Sequence, residues 1–262
     1  VVPVVTLLVW STTSPLRGVD GSFDPTFLAA AANSMLLGAQ VAAVVVVVAL
    51  LLVHAVRVDG RRRIALGVQA TVSGYAVPGP VLAIGALLVL AASAEVLDRL
   101  GLPGGGGLVT GSVAAIVVVY SARFLALGYT STEARLATVS PSLTSAALSL
   151  GMSPRRVLTR VHLPLARSGI AVAGVLVAVD ALKELPIVLL LRPFGFETLS
   201  VRVWQLAADS RYEMAGLPAL TIVVVAMIPV VLLFRNDDAD ITSDVDVVPP
   251  LEPDTSLVGV AR

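Results

Sequence analysis

Three kinds of residue are absent or scarce in this chain, and this limits what the protein can be. No cysteine occurs among the 262 residues, which excludes disulfides, thiolate metal sites and cysteine nucleophiles within this sequence. Charged residues contribute 14% and aromatic residues 5%, whereas hydrophobic residues contribute 56% and the mean hydropathy is +0.92. A soluble domain has roughly 45 to 50% apolar residues, so this composition indicates an integral membrane protein.

Residues that usually carry chemistry are also few. The formal net charge is +0, which points to neither nucleic acid nor an acidic substrate as a partner. No glycine-rich phosphate loop ending in Lys-Ser/Thr occurs, and residues 103–107, Pro-Gly-Gly-Gly-Gly, are interpreted as a flexible external turn. His54 and His162 are isolated in the sequence, and we expect packing or surface roles for them. We expect no catalytic residue, no metal site and no cofactor bound by this chain.

Long apolar runs predict five complete membrane spans. A spanning helix needs roughly 20 apolar residues, and the runs that reach this length are 35–56, 64–94, 108–129, 168–191 and 217–234. Residues 1–10 are apolar but shorter, and the chain starts at Val1, so we expect a truncated sixth span there. A cleaved signal peptide would need a basic segment in front of it, which is missing. The predicted fold class is an all-α membrane protein.

Arginine placement predicts the orientation of these spans. Ten arginines lie in the segments on one side of the membrane, which include residues 130–167, and five lie in the alternate segments. Because loops rich in Lys and Arg stay in the cytoplasm, we expect residues 130–167 to be cytoplasmic.

The cytoplasmic interval predicts two short helices joined by tight turns. Ser140 and Pro141 form an N-cap and first-turn pair, and Gly151 supplies the left-handed residue that ends the first helix. The second helix begins at Ser153-Pro154, and we expect Pro164 to end it. Three of its residues form an apolar stripe that could enter a groove of a partner: Val157, Leu158 and Val161. The alternative is an ordinary amphipathic loop between spans.

The run 64–94 is interrupted by the sequence Gly74-Tyr75-Ala76-Val77-Pro78-Gly79-Pro80. Its two prolines remove backbone donors and crowd the preceding turn, so we expect a break in the helix around Pro78, Gly79 and Pro80. Non-helical backbone at membrane depth must be covered by protein or face water. This segment is therefore a candidate pore or gate element, with a packing kink as the alternative.

Three charged residues, Asp180, Lys183 and Glu184, fall near the middle of the run 168–191. Each would cost roughly 2.5 to 3.5 kcal/mol at the membrane centre, so their shared face should meet protein or water. Arg123 on another span is a possible partner for Asp180. Structural ion pairing and the lining of a transport pathway both remain open for these four residues.

The cytoplasmic interval resembles the EAA loop of permease subunits in binding-protein-dependent ABC importers. The matching features are Ala146-Ala147, Gly151 four residues later, and Val161-His162-Leu163-Pro164 starting ten residues after that glycine. The family's glutamate position holds Ser145, and Glu133 lies too far upstream to replace it. The resemblance implies that residues 130–167 couple the membrane helices to an ATPase, through Ser145, Ala146, Ala147, Gly151, Pro154, Val157, Leu158, Val161, Leu163 and Pro164.

A second set of motifs resembles the ferric-iron branch of these permeases. They are Asn33-Ser34, residues 74–79, Lys183-Glu184-Leu185-Pro186, residues 191–196, Arg211-Tyr212 and Leu217-Pro218-Ala219-Leu220. The resemblance implies a type I ABC importer transmembrane domain with five full transmembrane helices plus a truncated N-terminal one. It is similar to the second transmembrane unit of a two-unit permease.

This resemblance also implies the domain organisation and the partners. Residues 1–32 would hold the truncated span and an external loop, residues 33–235 the permease domain, and residues 236–262 a disordered acidic cytoplasmic tail. The implied partners are an ABC ATPase dimer that holds the ATP, a second permease unit in the same chain or a homologous subunit, an extracytoplasmic binding protein, and the lipid of a bacterial inner membrane. The loop 193–216 would be a docking surface or external gate, or an interfacial helix anchored by Trp204.

Several functions remain open at this stage. Ferric iron is the expected substrate, and permeases for thiamine, phosphonate, sulfate or polyamine share this layout. An ion-coupled secondary transporter would use Asp180 and Glu184 to carry protons or sodium, without an ATPase. A membrane scaffold that transports nothing would explain the hydrophobicity but neither the central charges nor the Gly-Pro segment.

Overall fold

The computed structural model describes residues 2–13, 24–59, 62–100 and 111–245. Within these ranges the chain is helical, and no strand occurs in them. The helices are α1 (Val2–Thr13), α2 (Pro25–Asp59), α3 (Arg62–Val72), α4 (Gly79–Arg99), α5 (Val113–Ala137), α6 (Pro141–Ser149), α7 (Pro154–Val157), α8 (Leu163–Lys183), α9 (Pro186–Leu191), α10 (Leu199–Ala208) and α11 (Tyr212–Val245). A 3₁₀ turn (Ser73–Ala76) precedes α4, and a π-helical segment (Leu158–His162) joins α7 to α8.

Five helical stretches are long and apolar enough to cross a membrane, which confirms the predicted number. They are Pro25–Asp59, Gly79–Arg99, Val113–Ala137, Pro154–Lys183 and Tyr212–Val231, with the shorter apolar helix Val2–Thr12 before them. The run 168–191, expected to be one span, is divided instead. Helix α8 ends at Lys183, and α9 begins at Pro186, because a proline inside a continuous helix would lack a backbone donor and its ring would strike the carbonyl group four residues earlier.

Helices α2, α5 and α8 pack against one another and form the core. Gly128 of α5 leaves no room for a side chain, because a Cβ there would collide with Val45 of α2. A Cβ at Gly169 of α8 would lie 2.8 Å from the Ser131 carbonyl oxygen of α5. Small residues of this kind let membrane helices approach closely, and they explain how the three helices form one rigid centre.

Helix α2 runs from one end of the helix bundle to the other. It is 35 residues long, which corresponds to about 52 Å. Near its first residues, Asn33 and Ser34 hydrogen bond to the backbone of Glu197 and Leu199. Near its last residues, Arg57 donates to the carbonyl oxygens of Leu136 and Val139. The loop 193–216 and the interval 130–167 therefore lie at opposite ends of the bundle.

The last helix is longer than the sequence predicted. It continues to Val245, whereas we expected a disordered tail from residue 236. No proline or glycine lies between Arg235 and Val245 to stop the helix. The rest of that tail, 246–262, lies outside the described residues, as do the predicted turn at 103–107 and the segment 14–23.

Candidate functional site: two helix breaks and a coupling loop

Two breaks in membrane helices meet at the centre of the chain. The first is the predicted one: helix α3 ends, a 3₁₀ turn follows, and α4 begins after the extended residues Val77 and Pro78. The second falls at Glu184, whose backbone is extended between α8 and α9. A Cβ on Gly79 would lie 2.9 Å from Oε1 of Glu184, so any side chain there would require the Glu184 carboxylate to move.

Side chains satisfy the carbonyl groups that the breaks release. Arg123 Nη1 donates to the Val77 carbonyl oxygen at 2.7 Å. Tyr120 Oη and Ser200 Oγ both donate to the Glu184 carbonyl oxygen, at 3.0 and 3.1 Å. Since unpaired backbone groups are costly inside a membrane, these contacts explain how both breaks persist in the apolar interior.

The four predicted charged residues do come together, but in different pairs. Arg123 Nε lies 3.5 Å from Glu184 Oε2, and Lys183 Nζ lies 2.6 Å from Asp180 Oδ1. The suggested pairing of Arg123 with Asp180 is therefore wrong. Since α8 ends at Lys183, the extended residue Glu184 turns its carboxylate toward α5, and Asp180 stays with its neighbour one turn away.

One side of this charge network is open. The side chains of Arg123 and Glu184 are 16% and 11% exposed, whereas that of Lys183 is 65% exposed. Tyr75, whose hydroxyl donates to Asp180 Oδ2 at 3.4 Å, is also exposed. Polar groups therefore reach from the core to a surface of the chain, as expected of intramembrane charges that meet protein or water rather than lipid.

We call residues 130–167 the coupling loop, after the role that their resemblance to the EAA loop implies. Its first helix forms as predicted. Ser140 caps α6, because its hydroxyl accepts from the Ser142 amide, and Gly151 has the expected left-handed backbone, with φ 81°. The Met152 amide donates to the Ala147 carbonyl oxygen, and the Gly151 amide to that of Leu148. These two bonds are the pattern of a glycine-terminated helix, and they fix the direction in which the chain leaves α6.

The second helix of the loop does not end at Pro164, contrary to expectation. The chain passes from α7 through the π-helical segment directly into α8, and Pro164 occupies the first turn of α8. In an α-helix its ring would strike the carbonyl group four residues earlier. The wider π turn avoids this clash, and Pro154–Lys183 becomes one continuous helical stretch.

The apolar stripe of this second helix faces inward. Val157 is fully buried, and Leu158 and Val161 are half-buried, so the expectation that this stripe enters a partner is wrong for Val157. A second set of exposed apolar positions lies on α6 and its end, where Leu143 is 47% and Leu150 84% exposed, with Ala146 exposed between them. Their spacing of three and four residues marks one helix face, a signal that sequence analysis had overlooked.

The remaining predicted loop residues lie on this surface or next to it. Ser145, Gly151, Pro154, Leu163 and Pro164 are exposed, whereas Ala147 is buried. Ser145 Oγ donates at 3.5 Å to the Pro141 carbonyl oxygen of its own helix. The position of the family's glutamate is thus open to a partner, although it holds a neutral side chain.

The sequence suggested that the two histidines are isolated, but in the structure they contact each other. His54 Nδ1 and His162 Nδ1 are 2.9 Å apart, and His162 Nε2 lies 3.0 Å from Thr144 Oγ1. His162 is only 1% exposed. These contacts join α2 to the π-helical segment and α6, and His54 lies 108 residues before His162 in the sequence.

At the opposite end, charged residues hold the loop 193–216 against the start of α2. Arg202 Nη2 lies 3.1 Å from Asp24 Oδ2, and Arg202 Nη1 lies 3.4 Å from Glu197 Oε2. Hydrogen bonds from Thr26 lower the pKa of Asp24, and Arg202 acts in the same direction. Asp24 and Arg202 help to line a cavity of about 530 Å³, together with Trp204, Gln205, Leu206, Ala208, Asp209, Arg211 and Met214.

An aromatic residue projects from the same end. Phe194 is fully exposed in the turn before Gly195, whose φ is 78°. Arg192 Nη1 donates to the Phe196 carbonyl oxygen at 3.1 Å across this turn. Trp204 on α10 is 44% exposed. The loop 193–216 therefore presents exposed aromatic side chains at this end of the bundle.

Comparison with known proteins agrees with this architecture. The family described as "Binding-protein-dependent transport system inner membrane component" matches residues 70–237, which include both helix breaks and the coupling loop. The chain belongs to this family, the permease subunits of ABC importers, and is a multi-pass protein of the inner membrane.

A relative supports the same assignment. The Fe(3+)-transport system permease protein FbpB 2 of Haemophilus influenzae is 30% identical over 233 residues. The aligned region covers 88% of this chain and 43% of the relative, so the chain spans less than half the length of that protein.

Proposed function

We propose that this chain is a membrane unit of an ATP-driven importer that takes substrate from an extracytoplasmic binding protein. An ABC ATPase dimer, which holds the ATP, binds the cytoplasmic interval 130–167 through the exposed face of α6. A second permease unit, in the same chain or a homologous subunit, covers the open side of the charge network. The binding protein approaches the loop 193–216 at the other end.

One observation carries the proposal. The continuous stretch Pro154–Lys183 begins in the coupling loop and ends at the charge network, a length of 30 residues or about 45 Å. Movement of the loop therefore reaches the junction of Glu184 and Gly79 without crossing a flexible connection. Closure of the ATPases would shift α8 and open or close the contact between the two helix breaks.

Ferric iron is the proposed substrate. This assignment rests on the name of the relative, a Fe(3+)-transport system permease protein, and on the sequence motifs shared with that branch. Thiamine, phosphonate, sulfate and polyamines are the competitors to test. Ferric iron would pass the network as cargo and would contact carboxylates such as Glu184 and Asp180 only briefly.

The decisive experiment is uptake into proteoliposomes that contain the full-length permease, its ATPase and its binding protein. We expect uptake of ferric iron that requires ATP and is not reduced by an excess of the four competitors. Replacing Gly151 by valine should abolish uptake, because the left-handed backbone at φ 81° costs a residue with a side chain roughly 1 to 2 kcal/mol and would redirect the loop.

The matched control is Gly111→Val. Gly111 has a similar backbone, φ 68°, and a Cβ there would meet no atom within 4 Å, but it lies before α5, away from the coupling loop. Uptake by this variant should stay close to that of the wild type. Uptake driven by an ion gradient without the ATPase would contradict the proposal and assign the chain to secondary transporters.

A further inference from the structure

A chain of three polar side chains links the coupling helix α6 to the membrane helix α2. Thr144 of α6 contacts Nε2 of His162, and Nδ1 of His162 contacts Nδ1 of His54 on α2, as described above. Thr144 and His162 are 5% and 1% exposed, so their contact is shielded from water, and His54 is half-buried. The two imidazole rings meet edge to face, with centroids 4.9 Å apart.

The π-helical segment determines where His162 points. His162 is its last residue, and the Leu163 amide donates to the Leu158 carbonyl oxygen across the wide turn. One extra residue in a helical turn rotates the following side chains by about 100°. The ring of His162 thus lies between α6 and α2 as a consequence of the irregular turn, which itself follows from Pro164.

Helix α6 has few other anchors in the bundle. Its buried residues are Thr144 and Ala147, and Ala147 offers only a methyl group. Helix α6 also packs against α2 and α7, and Arg57 of α2 donates to the Val139 carbonyl oxygen in the turn before α6. Within α6 itself, the hydroxyl of Thr144 makes the described side-chain hydrogen bond to another element, which gives a displacement of α6 a directional connection toward α2.

We infer that Thr144, His162 and His54 form a coupling latch that makes α2 move together with α6. The inference rests on the proposed function and adds a second mechanical connection beside the continuous helix from Pro154 to Lys183. The three side chains are positioning residues, since they touch neither nucleotide nor substrate. When the latch is intact, force from the ATPases reaches both helices that enclose α5.

The test measures the number of ATP molecules hydrolysed per substrate transported in the reconstituted importer. Thr144→Val keeps the shape of the side chain but removes the hydroxyl. Loss of one hydrogen bond of about 1 kcal/mol should raise the ATP-to-substrate ratio about fivefold. Thr144→Ser restores the hydroxyl and should return the ratio to that of the wild type.

The control variant is Thr132→Val. Thr132 is also fully buried, but its hydroxyl donates to the Gly128 carbonyl oxygen within its own helix, at 2.8 Å. We expect an unchanged ratio, because no second element depends on that bond. The ratio is independent of how much complex assembles, so a variant with poor yield still gives an answer.

Variants of the two histidines provide a second, independent test. His54→Gln and His162→Gln should each raise the ratio, and the double variant should raise it no further than the more severe single variant, because both interrupt the same chain. Wild-type ratios in Thr144→Val, or additive effects in the double variant, would overturn the latch while ATP-driven uptake by the wild type stands. Absence of ATP-driven uptake in the wild type would instead refute the proposed function.

Discussion

The two helix breaks touch at Gly79 and Glu184. The position of the Glu184 carboxylate is linked to the absence of a side chain at Gly79. The carboxylate of Glu184 is nearly buried and lies between the guanidinium of Arg123 and the backbone of Gly79. Its Oε1 atom has no hydrogen-bond partner within the described residues. A small change at either position should therefore alter the junction.

Gly79→Ala should slow uptake several-fold. The new methyl group would lie 2.9 Å from Glu184 Oε1 and 3.5 Å from Pro186, and it would displace the carboxylate from Arg123. Initial rates of uptake in proteoliposomes measure the effect. The control is Gly85→Ala on the same helix, where a Cβ meets no atom within 4 Å. Equal rates for both variants would show that the contact is unimportant.

Arg123→Ala should destabilise the protein far more than Lys183→Ala. Removing Arg123 leaves a nearly buried carboxylate and the Val77 carbonyl oxygen without their partner, which costs about 3 to 5 kcal/mol. Lys183 is 65% exposed, and an exposed ion pair contributes about 0 to 1 kcal/mol. Thermal unfolding in detergent compares the two, and similar melting temperatures would contradict the assignment.

The charge pairing can also be tested by exchange. Arg123→Glu combined with Glu184→Arg should recover part of the stability lost in either single variant, because the two side chains face each other at 3.5 Å. The exchange of Arg123 with Asp180 should recover none. Recovery by the second exchange alone would favour the pairing first expected from the sequence.

At the scale of helices, the coupling loop presents one exposed face and buries another. The exposed face is that of Leu143, Ala146 and Leu150 on α6 and its end, whereas Val157 packs into the bundle. One face holds the loop to its own chain, and the other is the face that we propose binds the ATPase.

Leu150→Ser should weaken binding of the ATPase about tenfold. Loss of an apolar side chain from an interface costs about 1.5 kcal/mol, which corresponds to that change in dissociation constant. Binding of the ATPase to the detergent-solubilised permease measures it. Leu100→Ser, at the C-terminal end of α4 and 71% exposed, is the control and should bind normally. An unchanged affinity of Leu150→Ser would move the contact elsewhere.

The helices show which features can be predicted from a single sequence. Length and hydrophobicity were sufficient for the five spans, since burial in lipid requires both. Two prolines close to Gly79 predicted the first break, and Gly151 predicted the end of α6, because backbone geometry limits these residues directly. Pro186 carried a comparable signal for the break at Glu184, which the apolar character of the surrounding run concealed.

Contacts between distant elements could not be predicted in the same way. Which carboxylate faces Arg123 depends on the rotation of α8 about its axis and on the point where it ends. The meeting of His54 with His162 depends on a single extra residue in the π turn. The inward orientation of Val157 could not be predicted for another reason. An apolar stripe can pack against a neighbouring helix of its own chain as well as against a partner.

For the whole molecule, the open side of the charge network should change its accessibility during the transport cycle. These 262 residues contain no cysteine, so a single cysteine introduced among them is identified by its position. Lys183→Cys should react with a membrane-impermeant maleimide in one nucleotide state of the assembled importer and be protected in the other. Labelling is followed by mass shift of the permease.

Two further positions serve as controls for full labelling and for no labelling. Phe194→Cys is fully exposed at the end that holds the loop 193–216 and should react in both states. Ala173→Cys is fully buried in the core and should react in neither. Identical labelling of Lys183→Cys in both states would show that its surface does not line an alternating passage.

The unbroken stretch from Pro154 to Lys183 also has a geometric consequence. A rigid rod of about 45 Å that pivots near one end by about 5° moves its far end by about 4 Å. That displacement exceeds the separation of Arg123 from Glu184, which is 3.5 Å. A tilt of a few degrees would therefore be enough to pull the two charges apart and exchange one set of partners for another.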